Sequence, residues 1–311
     1  MLVAVGIGGL ALLVVAGLHG WLLFRPGPGP SREPFGGDCY RVADARIYVR
    51  RPVTARATVV AMHGFLESPA YFTALYDLPE VEVILVGSAD YHPALDCRSE
   101  IDAPWGARPM APVGTIAHDA EVLVQAMEHL ISTRSVRVHG HSRGGAVVLE
   151  AARRRPDLFR GTDVLLEAPL LPGVRPVWTP PRAIIELLPW LLPLWRRRPI
   201  NRRNAPLWGA LDDPRKRRLV GSLPFNPRRA VTVRRNLLDL GDWTRNADPG
   251  LWHNLESARV VVPAEDRVLE PASMQAGAKQ GGAGVQMDAV PASSHFVALD
   301  RPAAIPPLPQ P

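Results

Sequence analysis

Residues 135–156 read SVRVHGHSRGGAVVLEAARRRP. A β-like run leads into Gly140-His141-Ser142-Arg143-Gly144, and helical spacing follows at once. This is G-x-S-x-G between a strand and a helix. A side chain carried on so sharp a turn has strained backbone angles, so its neighbours must be small. Gly140 and Gly144 let strand and helix approach closely, and Gly145 adds clearance. The turn lifts the Ser142 hydroxyl to the C-terminal edge of a sheet, where the helix N-terminus favours negative charge. A tight turn with an inert serine would look the same in isolation.

Three features in chain order weigh against inertness. Upstream, ATVVAMHGFLESP (57–69) predicts a strand ending in His63-Gly64-Phe65. Alone, His63-Gly64 is only a strand-end turn. Beside Ser142, the loop can aim the Phe65 N–H, together with the Arg143 N–H, at a developing oxyanion. Downstream, VVVPAEDRVLEP (260–271) predicts a strand running into Glu265 and Asp266. Asp266 is preferred, because it stands two residues before the apolar Val268 that re-enters the fold. A carboxylate there can hold the tautomer of an imidazole. That imidazole is His295 in VPASSHFVALDRP (290–302), the last histidine of the chain. It can take the Ser142 proton and return it to a leaving group.

Between these motifs, short β-rich runs alternate with helical stretches. The runs are 39–51, 57–63, 81–87, 135–140, 162–168, 258–264 and 285–290. Several are unbroken Val/Ile/Leu segments, as expected for strands covered on both faces. Residues 115–132 and 142–155 have helical spacing. The alternation predicts an α/β fold with a mostly parallel sheet and helices on both faces. Residues 169–255 break the rhythm with many prolines and six of the eight tryptophans, and predict a mostly helical insertion.

The order Ser, Asp, His, the glycine-flanked turn and the upstream His-Gly resemble the α/β-hydrolase superfamily over about residues 40–305. The resemblance implies an eight-stranded, mostly parallel sheet with a cap inserted after the sixth strand. It implies nucleophile Ser142, acid Asp266, base His295 and oxyanion donors Phe65 and Arg143. Glu167, at the end of the strand after the nucleophile helix, is the alternative acid. The resulting division is a core of 39–168 and 256–305, a basic cap of 169–255 and a flexible tail of 306–311. The segment 88–114 is long and irregular for the family. It and the basic cap both bear on substrate access.

Composition sets the outer limits. The chain has 311 residues, a net charge of +6 and 47% hydrophobic residues. That excludes a disordered chain, and two cysteines, Cys39 and Cys97, exclude a disulfide framework. Residues 1–24 hold no Asp, Glu, Lys or Arg and are long enough to span a bilayer. They predict an N-terminal transmembrane anchor, with 25–38 as a linker. The basic n-region and cleavage site of a signal peptide are lacking. Arginines follow the span and none precedes it, so the rule that positive flanks stay inside places the bulk in the cytoplasm, at a bacterial inner membrane. Residues 196–235 carry 13 cations against Asp212 and Asp213. They read equally as a solvated cap face or as contact with anionic lipid. Nucleic acid is disfavoured, as no recognised module is present.

The expected activity is cleavage of carboxylic esters, including lipid-like ones, by a membrane-anchored serine hydrolase without cofactor or metal. His63, His139 and His141 have no Cys or carboxylate at ligand spacing. The same residues suit a thioesterase, amidase, acyltransferase or cofactor-free haloperoxidase. A non-catalytic scaffold that binds lipid or a partner through the basic cap is the alternative from another class.

Overall fold

The computed structural model describes residues 2–24, 32–222 and 229–309. The first seven linker residues, Arg228 of the basic cluster and the last two residues lie outside them. The strands are β1 (Glu33–Pro34), β2 (Asp38–Val42), β3 (Ala45–Arg50), β4 (Ala57–Met62), β5 (Val81–Gly87), β6 (Leu95–Asp96), β7 (Ser99–Asp102), β8 (Ser135–His141), β9 (Asp163–Glu167), β10 (Ala258–Pro263) and β11 (Val285–Val290). The helices are α1 (Leu2–Phe24), α2 (Ile116–Leu130), α3 (Arg143–Arg154), α4 (Arg182–Trp195), α5 (Pro214–Gly221), α6 (Ala230–Asn246), α7 (Pro271–Lys279) and α8 (Val297–Asp300).

Nine strands form one mixed sheet in the order β11-β10-β9-β8-β4-β5-β3-β2-β7. This corrects the expected eight. The additional pairing comes from the segment expected to be irregular, where β7 joins β2 in parallel. The run 39–51 is a hairpin, β2 antiparallel to β3, turning at Ala43 with φ 50°. From β5 to β11 every neighbouring pair is parallel. The unbroken apolar runs have a simple cause. In β4, Val60 and Met62 enter the core on one face of the sheet, while Val59 and Ala61 enter the core on the other. A strand covered on both faces has no polar alternation to show. Parallel strands also bring the C-terminal ends of β4, β8, β9, β10 and β11 to one edge, where the predicted site residues follow.

The anchor expected at residues 1–24 is not borne out. Among the described residues, no helix is long and apolar enough to cross a membrane. The end of α1 meets the protein instead. His19 Nε2 lies 3.3 Å from the Pro189 carbonyl, its ring sits 4.1 Å from Trp190, and the Arg197 guanidinium lies 5.8 Å from the Trp21 ring. The single-pass inner-membrane placement falls with the span, and so does the cytoplasmic orientation argued from it.

Residues 169–255 hold α4, α5 and α6. Part of the basic cluster is neutralised inside the chain, which weakens the case for anionic lipid. Arg215 pairs with Glu33, Lys216 with Asp300, Arg229 with Asp90 and Arg234 with Glu186. Near the C-terminus, Arg137 donates to the carbonyls of Pro306 and Pro307, at 2.6 and 2.8 Å. The start of the expected flexible tail is thus tied to β8.

Candidate active site

Ser142 stands between β8 and α3 with φ 53° and ψ −122°. L-residues avoid that region, at a cost of about 1–3 kcal/mol. A serine at a helix N-cap ordinarily turns its hydroxyl onto the first-turn amides. Here the twist prevents it, and Ser142 makes no side-chain capping bond. The hydroxyl is left to the cavity that Ser142 lines. Close packing makes the turn possible. A Cβ on Gly144 would lie 2.1 Å from the Met62 carbonyl oxygen, and one on Gly140 would lie 2.7 Å from the Gly144 oxygen.

The Arg143 side chain turns the other way and is fully buried. Its Nη1 donates to Asp119 Oδ2 at 2.6 Å, and Asp119 also accepts from Ser88 Oγ at 2.9 Å. Burial alone would raise the Asp119 carboxyl, but Arg143 and His118 together outweigh it and hold the group well below the usual carboxylate range. The pair fastens the start of α3 to the first turn of α2.

His295 follows β11, and Asp266 follows β10. His295 Nδ1 lies 2.7 Å from Asp266 Oδ2, with both side chains almost wholly buried. The other carboxylate oxygen accepts the N–H groups of Val268 and Leu269, at 2.7 and 2.9 Å. Glu167, the alternative acid, is engaged elsewhere. It accepts from the Tyr71 hydroxyl at 2.5 Å and the Ala298 N–H at 2.8 Å. His139 Nε2 is 3.0 Å from its second oxygen but off the hydrogen-bond line. Burial would raise the Glu167 carboxyl, yet His141, His139 and Tyr71 together hold it at about 2. Glu265 lies exposed, with its N–H bonded to the Ser293 carbonyl at 3.1 Å.

A second buried charge stands behind His295. Lys216 of α5 pairs with Asp300, which accepts the Ser294 N–H at 2.9 Å and the Ser294 hydroxyl at 2.6 Å. The charge run around Lys216 reads in the sequence as a solvated face or as a lipid contact, both exposed, but this lysine is only 1% exposed.

The loop after β4 carries His63, Gly64 and Phe65. His63 is structural. Its Nε2 accepts the Ser88 N–H at 3.1 Å, so Nδ1 carries the proton and donates to the Gly64 carbonyl at 2.8 Å. Burial keeps this ring neutral by lowering its pKa. The Gly64 N–H goes to Glu67 Oε2 at 2.8 Å, and the Leu66 N–H to the Tyr91 hydroxyl at 3.3 Å. Phe65 and Leu66 pack against Leu188 and Leu192 of α4 and Val233 of α6. The amides of Phe65 and Arg143 take no partner among the described residues.

Glu67, four residues after His63 in the sequence, is brought by the fold to His141. Glu67 Oε2 lies 2.6 Å from His141 Nδ1, and with His295 the pair offers three ligand-type atoms within 4.8 Å of one another. Glu67 and His141 are bonded to each other, so the arrangement is an ion pair rather than an open metal cradle. His141 Nε2 donates to the His295 carbonyl at 3.0 Å, and Tyr71 stacks on the ring at 4.4 Å. Burial opposes charge on His141, but Glu67 and Glu167 outweigh it and raise its pKa to about 9.

That shift carries a prediction. Glu67, Glu167, His139, Tyr71 and His295 are the titratable groups around the ring. A raised native pKa stabilises the fold fully below the unfolded value of 6.5, and the gain is lost as pH rises through about 9. The full effect is about 3 kcal/mol. Denaturant midpoints measured from pH 6 to 10 are expected to fall for the natural protein and to stay flatter for His141→Gln. Parallel curves would contradict the assignment.

Ser142, His295, Phe65 and Glu67 face one cavity of about 500 Å³. Its walls are nearly all apolar, and the helical insertion supplies many of them, including Ile185, Leu188 and Trp195 from α4 and Leu237 from α6. An apolar chamber with a few convergent polar groups is the usual form of a small-molecule site.

The model of the alpha/beta hydrolase family matches residues 59–305. No curated protein matches the sequence. Among solved structures, an esterase from Exiguobacterium antarcticum is similar at 15% identity, with 85% of this chain and 94% of that chain covered and a TM-score of 0.65. A thermophilic esterase from Thermogutta terrifontis is similar at 18% identity, with 84% and 90% covered and a TM-score of 0.60. A bromoperoxidase from Bacillus anthracis is similar at 15% identity, with 84% and 92% covered and a TM-score of 0.52. At these identities the likeness is one of fold, and the fold hosts both esterases and a bromoperoxidase.

Proposed function

The chain belongs to the alpha/beta hydrolase family, and from that premise we propose that it is a serine hydrolase of carboxylic esters with extended apolar acyl groups. The observation that carries the reading is the 2.7 Å contact of His295 Nδ1 with Asp266 Oδ2, beside a cavity that His295 shares with an uncapped Ser142.

Ser142 Oγ attacks the acyl carbonyl while His295 Nε2 takes its proton. Asp266 keeps the other ring nitrogen protonated and stabilises the imidazolium that forms. The N–H groups of Phe65 and Arg143 receive the oxyanion. Collapse expels the alcohol, which leaves with the proton from His295. Water, deprotonated by His295, then attacks the acyl-enzyme and releases the acid and Ser142. Each step uses groups of this chain and water alone.

The apolar walls support the acyl preference. A buried methylene is worth about 0.8 kcal/mol, roughly a fourfold gain in binding. Across p-nitrophenyl esters from acetate upward, kcat/KM is expected to climb by up to about fourfold per added CH2 until the cavity fills. A series that peaks at acetate would refute the apolar-acyl reading.

A further inference from the structure

We infer that Glu67 and His141 are positioning residues: a charged clasp that sets the oxyanion loop against the nucleophile turn and the His295 loop. The inference rests on the catalytic reading above and goes beyond it, since neither residue touches the reacting atoms in that mechanism.

With Glu67 as a carboxylate, the geometry calls for a charged ring. His141 Nδ1 faces a carboxylate oxygen at 2.6 Å, and Nε2 faces the His295 carbonyl oxygen at 3.0 Å. Both partners only accept, so both bonds are made only if both ring nitrogens carry hydrogen. A neutral imidazole would forfeit one. The ring is fully buried, with Tyr71 stacked on it at 4.4 Å and an interplanar angle of 15°. Water therefore has little room to replace a lost partner.

One oxygen does two jobs. Glu67 Oε2 takes the His141 proton and the Gly64 N–H at 2.8 Å together. Gly64 directly precedes Phe65, and His141 directly precedes Ser142. The clasp thereby fixes the spacing between the Phe65 amide, on the loop after β4, and the Arg143 amide, at the start of α3. Through the His295 carbonyl it also fixes the backbone that carries the base. A pair of donors must meet the oxyanion within a few tenths of an ångström to stabilise it, and losing one donor costs about 10²–10³ in kcat. Loosening the clasp is expected to cost less than that.

The test uses the full chain with a p-nitrophenyl ester and a fluorophosphonate probe. In Glu67→Ala, kcat is expected to fall about 30–100-fold with KM within about threefold, and the labelling rate to fall in parallel. In Glu67→Gln, an amide oxygen can still hold Gly64 but brings no charge. The expected kcat loss is about tenfold. The alkaline limb of its kcat profile should move at least one pH unit below that of the natural protein, because His141 loses the carboxylate that keeps it protonated. A merely structural role would lower stability without moving that limb. If Glu67→Ala does not fold, Glu67→Gln decides. Full kcat and an unmoved limb in Glu67→Gln, beside an inactive Ser142→Ala, would overturn the clasp alone. Continued turnover by Ser142→Ala would remove the catalytic assignment and the clasp together.

Discussion

Ester turnover in Ser142→Ala is expected to fall by about 10⁴-fold or more, and fluorophosphonate labelling to disappear. The size follows from what is lost. Without the hydroxyl there is no acyl-enzyme, and only the oxyanion donors and the binding cavity remain to assist attack by water. Stability should change little, because alanine must occupy the same strained angles, φ 53° and ψ −122°, and the hydroxyl makes no capping bond to lose. A folded Ser142→Ala protein with full turnover would place the chemistry elsewhere. Thermal melting of the variant shows whether inactivity reflects chemistry or unfolding.

Asp266→Asn is expected to lower kcat about 10³–10⁴-fold while leaving the fold intact. The carboxylate has two tasks. Oδ1 accepts the N–H groups of Val268 and Leu269, and Oδ2 faces His295 Nδ1. An asparagine can keep the first by placing its oxygen at Oδ1. Its NH2 then faces His295, and Nδ1 must become an acceptor. The ring proton moves to Nε2, the atom that has to take the Ser142 proton, and the base is held in the wrong tautomer. Loss should therefore fall on kcat, with substrate binding nearly unchanged. An Asp266→Asn protein within tenfold of the natural kcat would mean that Asp266 does not set the tautomer of the base.

How much of this was legible in the amino-acid sequence depends on the distance over which each feature is encoded. Strands β4, β5 and β10 carry the apolar runs VVAM, VILV and VVV because both faces of each are covered, and that signal is local. Ser142 is legible for the same reason, since its glycines stand within two residues of it. The β2–β3 hairpin was not legible as two strands, because Ala43 turns the chain without the glycine that usually marks such a turn. Strand β7, SEID, is polar and largely exposed at the sheet edge, so it has no apolar run to find. Glu67 and His141 are separated by 74 positions and meet only because β4 and β8 are neighbours. A run of cations reads as a wet surface whichever member is buried, which hid Lys216. The apolar composition of residues 1–24 was plain to read, but their contact with α4 depends on tertiary packing that composition does not encode.

The buried Lys216–Asp300 pair limits how this protein can be re-engineered. Residues 169–255 look detachable, and trimming them to obtain a minimal catalyst, or grafting in a relative's version to change selectivity, would be natural moves. Either would remove the cation that neutralises Asp300 under Ser294, directly beside His295 in the chain. Orphaning one member of a buried ion pair costs about 3–5 kcal/mol, a large part of a typical domain's stability. Any chimera therefore has to bring its own positive charge to that spot, or replace Asp300 at the same time.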